Sequence, residues 1–131
     1  MERKKTVSAG GHNLKYKIIK PDIIKNNSRI LVFLHEGLGC INKWKDFPDI
    51  LARESGMPAL VYERYGYGDS EPFKGKRKTD FLHNEALKVL PEMINKLGID
   101  KKLILIGHSD GGSIALMYTS AFPERVDSMI L

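Results

Sequence analysis

Apolar residues along this chain form several continuous runs that are rich in β-forming side chains. Such runs are typical of strands that are covered on both faces, as in a parallel sheet. A last run, at residues 129–131, indicates a further strand that begins near Val126. The other predicted strands of this kind lie at residues 30–34, 59–62 and 103–106.

The first part of the chain has a different pattern, in which apolar and polar residues partly alternate. Two stretches of this kind, residues 6–9 and 14–19, are separated by Gly10-Gly11-His12-Asn13. Glycine and asparagine favour the tight turns that join neighbouring strands. The pattern therefore predicts an antiparallel hairpin with its turn at residues 10–13.

Helical spacing fills the segments between the later strands. Between residues 82 and 97, apolar residues recur at steps of three and four, which predicts one buried helix face ending at Gly98. Pro91 interrupts this pattern and predicts a kink or two abutting helices. Shorter helices are predicted over 45–54 and 109–122. Strands that alternate with helices predict the α/β class, with a mainly parallel sheet and helices on both faces.

Length and composition narrow the class of protein. The 131 residues fit one domain, and 42% hydrophobic with 28% charged residues argue against a disordered or fibrous chain. No apolar run approaches the roughly 20 residues of a membrane span, and none follows the charged start, so we expect neither a membrane partner nor a signal peptide. The single cysteine, Cys40, excludes an intrachain disulfide, which fits a cytoplasmic protein.

The net charge of +5 raises the question of a polyanionic partner. Much of the excess lies at residues 2–5 and 74–78, where no aromatic residues are interleaved for base stacking. We interpret these runs as solvated surface charge and expect no nucleic-acid partner.

The most informative segment is a Gly-x-Ser-x-Gly motif formed by Gly107, Ser109 and Gly111. It follows a predicted strand and precedes a predicted helix, which is the context that a nucleophile elbow requires. In such an elbow the flanking glycines let strand and helix approach closely, and the serine hydroxyl stands at the carboxyl edge of the sheet. Unpaired N–H groups at the helix start suit an oxyanion.

Two further segments lie at the ends of predicted strands. Residues 33–39 contain the end of the strand predicted at 30–34 and the loop after it, and Trp44 comes next. Residues 62–70 begin at the end of the strand predicted at 59–62. Together with the Ser109 motif, these segments resemble the α/β-hydrolase superfamily, collinearly from about residue 15 to residue 131. The resemblance implies a small-molecule acyl substrate, no cofactor and no metal. It also implies hydrolysis of an ester, thioester, amide or carbon–carbon bond through an acyl-enzyme.

The resemblance assigns roles to four residues. Ser109 would be the nucleophile, the N–H of Asp110 one oxyanion donor, and the N–H of Gly37 or Leu38 the other. The carboxylate of Asp110 has two interpretations: it pairs with a cationic substrate group, or it complements the dipole of its helix. The second is favoured, and so is a structural role for His35 under the oxyanion hole.

Other residues of these segments are expected to serve the structure. We expect His108 to pack away from the hydroxyl, Arg64 and Asp69 to hold the loop after the fourth strand, and Cys40 to be a small buried side chain. Glu36 has no evident catalytic task.

The family order of the catalytic triad is serine, acid, histidine. All four histidines precede Ser109, so the chain is expected to be the N-terminal half of the fold, ending within strand six. Alone it is expected to be inactive, because a serine hydroxyl without a base is a poor nucleophile. The alternative is a noncatalytic hydrolase-like fragment or split subunit. In either case the unfinished sheet predicts self-association or pairing with a C-terminal half.

Overall fold

Six strands form one sheet in the computed structural model, which describes residues 3–131. Their order in the sheet is β1-β2-β4-β3-β5-β6. Strands β3 to β6 pair in parallel, whereas β1 and β2 form an antiparallel hairpin and β2 also pairs antiparallel with β4. The strands are β1 (Lys5–Ala9), β2 (His12–Ile19), β3 (Arg29–Leu34), β4 (Ala59–Tyr62), β5 (Lys102–Gly107) and β6 (Val126–Ile130).

Four α-helices connect the later strands, which confirms the predicted α/β class with a mainly parallel sheet. The helices are α1 (Phe47–Ser55), α2 (Phe81–Asn84), α3 (Leu90–Lys96) and α4 (Asp110–Ala121). Between α2 and α3 the chain makes a π-helical turn, Glu85–Val89, and Pro91 then lies in the first turn of α3. Val89 and Leu90 keep right-handed helical dihedral angles, so the chain stays helical from the π-helical turn into α3, where Pro91 has no N–H to donate. The irregularity predicted at Pro91 therefore takes the form of a π-helical turn directly before it.

The hairpin turn is shorter than the predicted one. Only Gly10 and Gly11 lie outside the strands, with φ values of 63° and 80°. Two consecutive left-handed residues form the two-residue turn whose twist matches an antiparallel pair. His12 and Asn13 belong to β2, so the prediction that the turn spans residues 10–13 was wrong for residues 12 and 13.

Helices cover both faces of the sheet, as predicted. Alternate residues of the parallel strands point to opposite faces, so Val32 and Leu105 join one core and Phe33 and Ile106 the other. Helices α2 to α4 pack on the first face, and α1 packs on the second through Ala52. No helix between residues 3 and 131 combines the length and apolar character needed to cross a bilayer.

The charged start of the chain lies partly outside the described residues, which exclude Met1 and Glu2. We had expected residues 2–5 to be solvated surface charge, but Lys4 forms two ion pairs. Its ammonium lies 3.2 Å from the carboxylate of Glu63 and 2.9 Å from that of Asp69. The N-terminal segment is therefore tied to the loop after β4.

Candidate active site

Ser109 occupies the sharp turn between β5 and α4. Its backbone has φ 56° and ψ −113°, a conformation that side chains other than glycine rarely adopt. Such strain persists only where the surroundings enforce it, and it is common at functional sites. The residue is exposed at the carboxyl edge of the parallel strands.

The flanking glycines are required by the close approach of strand and helix. A Cβ atom at Gly107 would lie 2.5 Å from the carbonyl oxygen of Gly111. A Cβ atom at Gly111 would collide with the carbonyl oxygen of Leu34. Both positions therefore exclude any side chain, as the motif predicts.

The loop after β3 lies directly beside this elbow. Strands β3 and β5 are neighbours, and Leu34 is in register with Gly107 at their carboxyl ends. A Cβ atom at Gly37 would lie 2.8 Å from Oδ2 of Asp110. The two loops that carry the predicted oxyanion donors thus meet at one edge of the sheet.

Three backbone N–H groups at this edge lack a hydrogen-bond partner among the described residues. The N–H of Gly39 donates to the carbonyl oxygen of Glu36 at 3.0 Å and closes a tight turn around Gly37 and Leu38. Within residues 3–131, the N–H groups of Gly37, Leu38 and Asp110 donate no hydrogen bond. Unpaired donors at a helix start and a neighbouring turn suit an oxyanion, and the choice between Gly37 and Leu38 stays open.

The carboxylate of Asp110 has a cationic neighbour that the sequence analysis did not foresee. Its Oδ2 lies 3.6 Å from Nη2 of Arg64, whose side chain is almost fully buried. Nη1 of Arg64 also donates to the carbonyl oxygen of His35 at 2.6 Å. Arg64 therefore joins three segments of the site: the loop after β3, the loop after β4 and the helix start.

His35 is buried and has both ring nitrogens engaged with the backbone. The N–H of Arg64 donates to Nε2 at 3.0 Å, and Nδ1 lies 2.7 Å from the carbonyl oxygen of Glu36, to which it donates in this tautomer. Burial, together with the Arg64 charge, lowers the pKa of His35 to about 4. A neutral ring with no free nitrogen fits the structural role expected for His35.

His108 is exposed, so the packing role expected for its side chain was wrong. Its Nδ1 lies 3.6 Å from the carboxylate of Glu36, which is partly exposed. The pair borders a depression of about 40 Å³ that Trp44 and Cys40 also line. Cys40 is only partly buried, contrary to expectation.

Glu63 is an organising residue that sequence analysis missed. It is fully buried and accepts hydrogen bonds from the N–H groups of Ile41 and Asp69, each at 2.9 Å. With the Lys4 ion pair, it ties the loops after β3 and β4 to the N-terminal segment. A single acid after a strand carries no sequence signal for such a role. The carboxylate of Asp69 binds Lys4 of the N-terminal segment, and its contact within the loop after β4 is made by its backbone N–H.

The part of the chain described by the structure contains no group of three His, Cys, Asp or Glu residues placed to hold a metal ion.

The sequence matches a family model described as alpha/beta hydrolase fold over residues 29–131. It is 32% identical over 102 residues to proline iminopeptidase of Lactobacillus delbrueckii subsp. bulgaricus, covering 77% of this chain and 34% of that protein. It is 30% identical over 107 residues to the human 1-acylglycerol-3-phosphate O-acyltransferase ABHD5, covering 81% of this chain and 30% of that protein. The chain thus spans about a third of these relatives.

Solved structures show the same fold. Proline iminopeptidase of Mycobacterium smegmatis superimposes with a TM-score of 0.78 at 22% identity, over 97% of this chain and 42% of that one. Epoxide hydrolase VrEH1 of Vigna radiata gives a TM-score of 0.72 at 20% identity, over 97% of this chain and 38% of that one. With the strand order, the elbow at Ser109 and the match over residues 29–131, these likenesses show that the chain belongs to the alpha/beta hydrolase fold family.

Proposed function

We propose that the protein is a serine hydrolase that cleaves an ester, thioester, amide or carbon–carbon bond through an acyl-enzyme on Ser109. The observation that carries this proposal is a strained, exposed serine on an elbow that meets the loop after β3, where three N–H groups donate no hydrogen bond within residues 3–131. Oγ of Ser109 attacks the substrate carbonyl while its proton passes to a base. The N–H of Asp110, with that of Gly37 or Leu38, stabilises the negative oxygen.

The second half of the reaction releases the acyl group. The tetrahedral intermediate collapses, and the leaving group departs with the proton from the base. Water then attacks the acyl-enzyme while the same base takes its proton, and that proton passes to Oγ of Ser109 as the bond between Oγ and the acyl carbon breaks. His35 is unsuited to this task because both of its nitrogens are engaged. We therefore propose that the triad acid and histidine come from outside these residues and that the chain alone is inactive.

The names of the relatives support acyl transfer. One is a peptidase and the other an O-acyltransferase, and both reactions proceed by attack on a carbonyl carbon. The likeness to an epoxide hydrolase concerns the fold alone, and a serine at the elbow disfavours relatives that use aspartate there.

A noncatalytic role is the second candidate, and the free face beside β6 favours it. Ile130 is 55% exposed and Leu131 65% exposed. Leu131 lies near the first turn of α4, because a Cβ atom at Gly112 would be 3.8 Å from its side chain. Exposed apolar side chains at an open sheet edge suit association with another polypeptide.

Labelling of Ser109 by a fluorophosphonate separates the two candidates. The chain is combined with a polypeptide that supplies the later strands, an acid and a histidine, and the labelled residue is identified by mass spectrometry. We expect rapid labelling of Ser109, none in Ser109→Ala, and unchanged labelling in Ser113→Ala, an exposed serine on α4. Failure to label in a folded complex would favour the noncatalytic role. Fast labelling of the isolated chain would place a base within it.

A further inference from the structure

A cleft of about 390 Å³ lies beside the segment that follows β4. The β1–β2 hairpin, residues 73–81 and the π-helical turn line it, and Ser109 is not among its lining residues. The volume falls in the range typical of small-molecule sites. The cleft is therefore a candidate ligand site separate from the nucleophile.

Two residues that line the cleft carry buried polar atoms without a hydrogen-bond partner among the described residues. Arg64 is 1% exposed and Glu85 7% exposed, and both line the cleft. Nε of Arg64 and Oε2 of Glu85 have no hydrogen-bond partner among residues 3–131. The buried hydroxyl of Tyr62, close enough to interact electrostatically with both, also has none there. Buried polar groups in native proteins are nearly always paired, so these groups call for a ligand or water.

The walls of the cleft combine aromatic rings with positive charge. The guanidinium of Arg77 lies 4.6 Å from the ring of Phe73, 4.8 Å from that of Tyr67 and 5.5 Å from that of Phe81. The charged lining residues are the cations Arg64, Lys76, Arg77, Lys78 and Lys88 and the acids Asp80 and Glu85, with His12 beside them. The excess of cations favours an anion, and Arg77 already fills the position that a ligand cation would take between the rings.

We propose that this cleft binds a small organic carboxylate, whose apolar body lies against the aromatic rings and whose carboxylate is held by Arg77 and the buried groups of Arg64 and Glu85. This inference goes beyond the proposed function and does not rest on it. Arg77 presents a planar fork of donors that matches a carboxylate.

The protonation of Glu85 supports this assignment. Burial raises the pKa of Glu85 to about 7, although Arg64, Arg77 and His12 oppose the change. Tyr62 also interacts electrostatically with Glu85. The other titratable side chains that line the same cleft are Tyr65, Tyr67, Lys76, Lys78, Asp80 and Lys88. A neutral carboxyl group donates a hydrogen bond to the oxyanion of the ligand, whereas an ionised one repels it.

Ligand-observed NMR on the full 131-residue chain tests the proposal, because it works for monomers and self-associated forms alike. The probes are phenylacetate, the neutral 2-phenylethanol, 2-phenylethylammonium and phenyl phosphate. We expect phenylacetate to bind about tenfold or more tightly than the alcohol, and Arg77→Met to weaken it about tenfold, which corresponds to one charge-assisted hydrogen bond. Arg77 is exposed, so its replacement leaves the core intact. Arg53→Met, on α1 across the sheet, is the matched control and should change nothing.

The pH dependence gives an independent readout. With a pKa of about 7, Glu85 is mostly neutral at pH 6 and mostly ionised at pH 8, so affinity for phenylacetate should fall about tenfold between them. Glu85→Gln keeps a hydrogen-bond donor at both pH values, so its affinity for phenylacetate should not depend on pH in this range. Three results would each overturn the proposal. The first is tighter binding of 2-phenylethylammonium than of phenylacetate, and the second is equal binding of phenylacetate and 2-phenylethanol. The third is that phenyl phosphate binds most tightly and Glu85→Gln has no effect.

Discussion

The carbonyl oxygen of Leu34 lies against the Cα atom of Gly111, so the end of β3 and the first turn of α4 are in direct backbone contact. This contact places the loop after β3 beside Ser109. It leaves no room for a Cβ atom, and neither partner is a flexible side chain that could move aside.

We expect Gly111→Ala to destabilise the fold by about 1–3 kcal/mol, because strand and helix must separate to admit the methyl group. Gly112→Ala is the matched control: a Cβ atom there has its nearest neighbours at 3.8 Å, and alanine favours the helix. Urea denaturation measures both. Equal stability of the two variants would contradict the required contact.

His35 should make stability depend on pH. The folded state protonates it only near pH 4, whereas the unfolded chain does so near pH 6.5. The unfolded state therefore binds more protons between these values. Stability is full above about pH 6.5 and falls towards pH 4, by about 3 kcal/mol at most from this group. Urea denaturation at pH 7 and pH 5 should show a smaller loss for His35→Gln than for the parent, and an identical loss would exclude this contribution.

Glu63 should stabilise the site loops through its carboxylate oxygens. In Glu63→Gln, one acceptor oxygen is replaced by an amide group that faces a backbone donor or Lys4, so we expect a loss of about 1–3 kcal/mol. Glu54→Gln, an exposed residue on α1, is the control and should change stability little. Thermal unfolding followed by circular dichroism compares them, and matched melting temperatures would contradict the role given to Glu63.

The carboxylate of Asp110 gives a test of substrate preference in a completed enzyme. If it pairs with a cationic substrate group, esters with a free α-amine should be preferred over N-acylated analogues, and Asp110→Asn should reduce kcat/KM for them at least about tenfold. Asp49→Asn, on α1, serves as the control. Equal turnover of both esters by the parent enzyme would contradict substrate pairing, and the carboxylate of Asp110 would then interact only with the helix dipole and with Arg64.

The apolar surface beside β6 should drive association of the isolated chain. We expect sedimentation velocity to show concentration-dependent self-association, which Ile130→Lys reduces by placing charge at the edge. Ile23→Lys is the control, because Ile23 is 72% exposed elsewhere on the surface. A monodisperse parent chain would contradict this expectation. A polypeptide that supplies the later strands should suppress association of the parent.

Local pattern predicted most of the elements and the elbow. Continuous apolar runs identified β3 to β6, and Gly107 and Gly111 identified the turn, because each feature depends on neighbouring residues alone. The pairing of Glu36 with His108 and the position of Glu63 depend on loops that are distant in sequence. Nothing in the local pattern around Glu85 indicated a buried acid in a cleft, since its neighbours in space come from the hairpin and from the loop after β4.

The register between Leu34 and Gly107 fixes how far the loop after β3 lies from the elbow at Ser109. Adjacent strands are held about 4.8 Å apart by their backbone hydrogen bonds, whatever side chains they carry. The backbone ladder therefore sets the separation of the two site loops, whereas the side chains of Leu38 on one loop and His108 on the other are exposed. We expect substitutions of these two side chains to change the surface around Ser109 without changing the spacing of the backbone N–H groups.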